Sequence, residues 1–145
     1  MTEPLRFSFD VACAPSHAFA VWTTKIDAWW PRHHTLSGDS AVVVLEQGAG
    51  GRIYERTAAG EQHEWGEVTV WEPPRRLSYL WHIGRTREAA TAVDIIFVDE
   101  GGARTRIDIE HSGWEALGDE AEAWRDRNHG GWDAVLSHYV AAVAP

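Results

Sequence analysis

The chain has 145 residues, 22 of them Asp or Glu and 13 Lys or Arg, for a formal net charge of −9. Such a surplus of acid opposes binding to phosphate backbones, which need clustered cations to displace counterions, so nucleic acid is set aside as a partner. The length fits one domain, 1–145, and the single cysteine, Cys13, excludes an internal disulfide and a thiolate-rich zinc site.

The opening residues, Met1 to Arg6, contain no apolar stretch like that of a signal peptide, and the longest aliphatic run, Ala41 to Leu45, is far too short to span a bilayer. A cytoplasmic protein with no membrane association is expected. Leu5 to Ala12 alternates Leu5, Phe7, Phe9 and Val11 with polar or small residues, the pattern of a strand with one buried face. Pro15 suits a first helical turn, and Phe19, Trp22 and Ile26 follow at spacings of three and four before Trp29, Trp30 and Pro31, predicting one or two short helices. Strands are predicted over Ala41 to Glu46 and Gly51 to Thr57, with Thr57 to Gly60 as a hairpin turn.

The stretch from Glu64 to Trp81 reads as strand, tight turn, strand. Pro73 and Pro74 cannot donate to a sheet ladder and therefore end the first strand, while Leu77, Tyr79 and Trp81 alternate with Ser78, Leu80 and His82 to form the second. Val93, Ile95 and Phe97 mark a further strand, Asp99 to Gly102 a turn, and Ile107, Ile109 and His111 the inner face of the next strand. Asp119 followed by Glu122 has the spacing of a helix start, and Trp124, Asn128, Gly131, Trp132, Val135, Tyr139 and Val143 share one face of a long terminal helix. The glycines at 130 and 131 are costly inside a helix, which calls for close approach to the sheet or a bend at the mouth of a pocket. The predicted fold is α+β: a curved antiparallel sheet of six to seven strands around a long C-terminal helix, with two short helices after the first strand.

The order and spacing of several motifs match a known pattern. Phe19 with Trp29-Trp30, Gly50-Gly51-Arg52-Ile53-Tyr54-Glu55, Trp65-Gly66-Glu67-Val68 and Pro73-Pro74-Arg75-Arg76-Leu77 are four of them. The segments from Thr91 to Phe97 and from Thr105 to Trp114, with His111 and Gly113, and the Gly131-Trp132 pair ahead of Leu136 complete the set. On these residues the chain resembles the START-like, helix-grip (SRPBCC) superfamily, and within it the C-terminal domain of the activator of heat-shock-protein-90 ATPase (AHSA). The resemblance implies a sheet that grips the last helix around an apolar pocket for hydrophobic small molecules. It transfers no single reaction, because carriers, receptors, cyclases and co-chaperone domains share the scaffold. The eukaryotic activator has an additional N-terminal domain, whereas the first strand here begins within five residues of Met1. Direct stimulation of a chaperone is accordingly the lesser expectation.

If Ile53, Val68, Val70, Leu77, Tyr79, Trp81, Val93, Ile95, Ile107 and Ile109 point inward, alternation places Glu55 and His111 on the same faces. Burial would then raise the Glu55 pKa and allow an imidazole to share its proton. The bland alternative puts both residues at the rim, bonded to water, an arginine or a backbone carbonyl. The candidate ligand-binding residues are Glu55, Tyr79, Trp81, His111, Trp124 and Trp132, each weighed against a purely packing role. No His-Glu-x-x-His pairing, phosphate loop or nucleophile elbow occurs, so no metal, nucleotide cofactor or serine hydrolysis is expected. The leading expectation is a binding protein for a hydrophobic or aromatic small molecule, monomeric or dimeric. Its alternatives are a cyclase- or hydrolase-type enzyme using Glu55 and His111, and a stress-related, chaperone-associated interaction domain with a continuous exposed apolar patch.

Overall fold

The protein is described by a computed structural model over residues 2–38 and 40–144, excluding the side chains of Ser40 and Ala41. Seven strands form one antiparallel sheet: β1 (Leu5–Val11), β2 (Ser40–Leu45), β3 (Arg52–Thr57), β4 (Gln62–Glu72), β5 (Arg76–Trp81), β6 (Thr91–Asp99) and β7 (Thr105–Ser112). Their order across the sheet is β1-β7-β6-β5-β4-β3-β2. Two short helices, α1 (Pro15–Trp22) and α2 (Ile26–Trp29), follow β1, and the chain ends in α3 (Ala121–Val143). This is the helix-grip architecture.

The alternation read from β1, β6 and β7 corresponds to burial. Ile107, Ile109 and His111 are covered while Arg106 and Glu110 face solvent. Strand β4 departs from it. A bulge between Val68 and Val70 leaves Thr69 without a register partner, so Val68 pairs with Tyr79 but Val70 pairs with outward-facing Ser78. Val70 therefore does not join the inner face as expected. Trp71 takes that place opposite Leu77 and meets the ring of Phe19 at 5.1 Å. A second bulge, between Ile53 and Tyr54 of β3, leaves Trp65 of β4 as the extra residue, fully buried. Such bulges increase local twist and help the sheet to curl. Gly66 is required beside it, because a Cβ there would stand 2.0 Å from the Leu80 carbonyl oxygen.

Helix α3 lies in the concavity. Tyr139 sits at its centre, fully buried, with the Trp22 ring at 4.7 Å and the Trp29 ring at 5.3 Å, and its hydroxyl donates to the Ala18 carbonyl at 2.8 Å. The helix begins differently from the expected capping arrangement. A 3₁₀ turn occupies Trp114–Glu120, Gly118 breaks it at φ 57, and the N-cap is Glu120 with no side-chain bond. Asp119 is thus spent in the preceding turn and caps nothing. No helix among the described residues is long and apolar enough to cross a membrane.

Candidate functional site: a cavity between sheet and terminal helix

The apolar face of α3 does not fill the concavity over its whole length. Tyr139 packs down, whereas toward the helix N-terminus Trp124, Asn128, Gly131, Trp132 and Val135 border a cavity of about 470 Å³. Tyr79 and Trp81 of β5 form its far wall, continued by Ile83 and Gly84. Trp30, just after α2, and the turn from His34 to Leu36 close the remaining side. Trp30, Trp65 and Trp81 form a mutually packed cluster with ring centroids 5.3 to 5.8 Å apart. Indoles locked in this way offer flat walls without losing further rotamer freedom when covered.

The polar groups on the wall are few. Tyr79 is only 4% exposed, and burial pushes its phenol pKa up, opposed by the neighbouring Trp22 indole. That indole N–H has no partner of normal hydrogen-bond geometry among the described residues. The Asn128 amide donates to the Trp124 carbonyl at 2.9 Å. Burial lowers the His34 pKa, with help from the adjacent imidazoles of His33 and His138, so the ring is neutral at pH 7. Among the described residues no three His, Cys, Asp or Glu side chains are grouped to hold a metal ion.

The family model for activator of Hsp90 ATPase homolog 1-like proteins matches residues 12–144. The chain belongs to this family. Among solved structures, Txn09, described as an anthrahydroquino-γ-pyrone synthase, is 27% identical, with a TM-score of 0.64 over 98% of this chain and 97% of that one. CalC from Micromonospora echinospora, described as a self-sacrificing resistance protein, is 26% identical, with a TM-score of 0.75 over 97% and 94% of the two chains. An HSP90 activator from Plasmodium falciparum shares the fold at 15% identity, with a TM-score of 0.69 over 98% and 96%. No curated protein sequence matches.

In this AHSA1-like domain the six residues singled out from the sequence divide into two groups. Tyr79, Trp81, Trp124 and Trp132 line the cavity; Glu55 and His111 do not. Glu55 is fully buried, but its carboxylate accepts hydrogen bonds from the Leu36 N–H, the Ser37 N–H and hydroxyl, and the Trp65 indole. Burial alone would raise its pKa, yet those donors outweigh it and hold the group below the usual carboxylate range. The expected raised pKa is therefore corrected. Instead of exchanging protons, Glu55 pins the turn that carries Thr35 and Leu36 at the cavity mouth.

His111 is equally committed. Its Nδ1 accepts from the Trp132 indole at 2.9 Å, which places the ring proton on Nε2, facing the Thr91 hydroxyl at 2.6 Å. Thr91 in turn donates to the Trp81 carbonyl at 3.2 Å. Burial, then the charge of Arg85, pushes the His111 pKa down to about 3. The imidazole is a neutral strut tying α3 to β5 through β6 and β7. Strands β4, β5 and β6 separate β3 from β7, so Glu55 and His111 form no acid–base pair.

Several cavity residues escaped the sequence reading. Asn128, Gly131 and Val135 share the helical face of Trp124, a signal available in the periodicity. His34 and Leu36 arrive from a segment with no period and nothing in the sequence marks them, while Trp30 stands in the Trp29-Trp30 pair without a period that aims it at the cavity. The two glycines are not there for close approach to the sheet: a Cβ at Gly130 or Gly131 would meet nothing within 4 Å. Gly131 faces the cavity and leaves its floor open.

Proposed function

We propose that the protein binds a planar aromatic small molecule in the cavity between the sheet and α3. The observation that carries this reading is the cavity itself: about 470 Å³, bordered by Trp30, Trp81, Trp124 and Trp132, within the size range of small-molecule sites. Full-length likeness to Txn09 and CalC, each above a quarter identity, supports it; the named product of the first is a fused polycycle. A chaperone-facing role has less behind it. The large exposed apolar side chains, Leu36, Leu80 and Val140, lie on a turn, a strand and a helix. The Plasmodium likeness extends to the fold alone.

The synthase likeness also gives a second reading, ring closure of the bound compound. It would have to use His34 or Tyr79, because Glu55 and His111 lie outside the cavity. Native mass spectrometry of freshly purified protein, beside its denatured mass, tests binding, with any released compound identified by fragmentation. An aromatic adduct supports the proposal. Bare protein whose indole N–H resonances ignore aromatic compounds up to millimolar concentration refutes it.

A further inference from the structure

The charge around the cavity runs opposite to that of the molecule. In a chain of net charge −9, no acidic residue among those described borders the cavity, and its one formally charged described lining residue at neutral pH is Arg127. Seven of the described arginines are matched to acids, among them Arg6 with Glu110, Arg76 with Asp94 and Arg104 with Asp10. Arg85 and Arg127 are in no ion pair among the described residues. Both stack on Trp124, their Cζ atoms 4.9 and 4.5 Å from its ring centroid. A guanidinium stacked by its face keeps its N–H groups in plane and free to meet an anion edge-on. Arg85 donates to the Trp81 and Ala89 carbonyls, which satisfies donors without neutralising the charge, and its Nε is buried with no partner.

At the other extreme of burial stands Tyr79. Its hydroxyl borders the cavity, is 4% exposed as a residue, and has the Trp22 indole N–H beside it. An indole N–H can only donate, so the phenol proton is left for a ligand oxygen that accepts from it.

We propose that the cavity takes an aromatic acid: a planar ring system against Trp30, Trp81 and Trp132, an acceptor oxygen on the Tyr79 hydroxyl, and a carboxylate at the mouth against Arg127. Arg85, behind Trp124, adds positive charge to the same mouth. This rests on the aromatic-binding reading of the cavity and narrows it to an anionic class. The indoles select for flatness, Tyr79 for an oxygen substituent, and the Arg127 guanidinium for negative charge.

The test is a titration of ¹⁵N-labelled protein, following its indole N–H cross-peaks, with 6-hydroxynaphthalene-2-carboxylate, its carboxamide, and naphthalene-2-carboxylate. The carboxylate is expected to bind roughly tenfold more tightly than the carboxamide, the scale of a hydrogen bond to a charged group. R127Q should abolish most of that difference, read as the ratio of acid to amide Kd within the same variant. Y79F should erase the advantage of the 6-hydroxyl compound over its parent. If acid and amide bind alike and R127Q changes nothing, the anionic assignment is overturned while the aromatic cavity stands. If Y79F leaves the hydroxyl preference intact, the Tyr79 contact is overturned. If none of the three compounds shifts any indole, the aromatic-binding reading falls with the proposal.

Discussion

Alanine at Gly131 should make the protein more stable and a poorer binder. Glycine inside a helix costs about 1 kcal/mol relative to alanine, through backbone entropy. Neither Gly130 nor Gly131 has an atom within 4 Å of where a Cβ would stand, so no clash offsets the gain at either site. For a chain of this size, 1 kcal/mol raises the melting temperature by roughly 2–4 °C. Gly130→Ala and Gly131→Ala should therefore show similar gains in thermal unfolding. They should part in binding, because Gly131 borders the cavity and Gly130 does not. A methyl that displaces about one CH₂ of ligand contact costs about 0.8 kcal/mol, roughly fourfold in Kd. Thermal melts paired with naphthalene-2-carboxylate titrations of both variants make the comparison. Destabilisation by either alanine would refute the open-space reading of this helix face, and equal Kd values would refute the assignment of Gly131 to the cavity floor.

Three further outcomes follow from the buried polar groups. The unfolded chain protonates His111 near pH 6.5 but the folded chain only near 3, so its stabilising contribution is complete above 6.5 and is lost as pH falls. The slope approaches about 1.4 kcal/mol per pH unit between those values, His34 acts in the same direction, and H111Q should flatten urea-derived stability measured from pH 6.5 to 5. Glu55→Gln puts an amide donor against the Leu36 or Ser37 N–H; a loss of about 1–3 kcal/mol, with faster amide exchange confined to residues 35–38, is expected. Unchanged exchange there would mean that the carboxylate does not hold the turn. Tyr139→Phe removes the bond to Ala18 and should cost about 1 kcal/mol without altering ligand affinity, since Tyr139 lies outside the cavity.

The sequence by itself determined the scaffold. Period-two alternation in β1, β5, β6 and β7 and the helical spacing from Trp124 to Val143 record which faces are covered, because burial of one face is what such patterns encode. Where a strand gains a residue the record fails, as at Thr69, whose bulge moved Val70 outward and brought Trp71 in. Alternation also placed Glu55 and His111 on the inner face correctly, but burial is one-dimensional information and partnership is not. Only the tertiary structure gave Glu55 its four donors from the turn and Trp65, and aimed the Trp132 indole at His111. Those contacts join residues far apart in the chain, and they reversed the expected chemistry: one group is held ionised, the other neutral, each as a brace. The cavity is likewise a tertiary fact. Residues of β5, α3 and a segment without periodicity that brings Trp30 and His34 to its rim meet there only in the folded chain, with Gly131 adding no side chain to its floor.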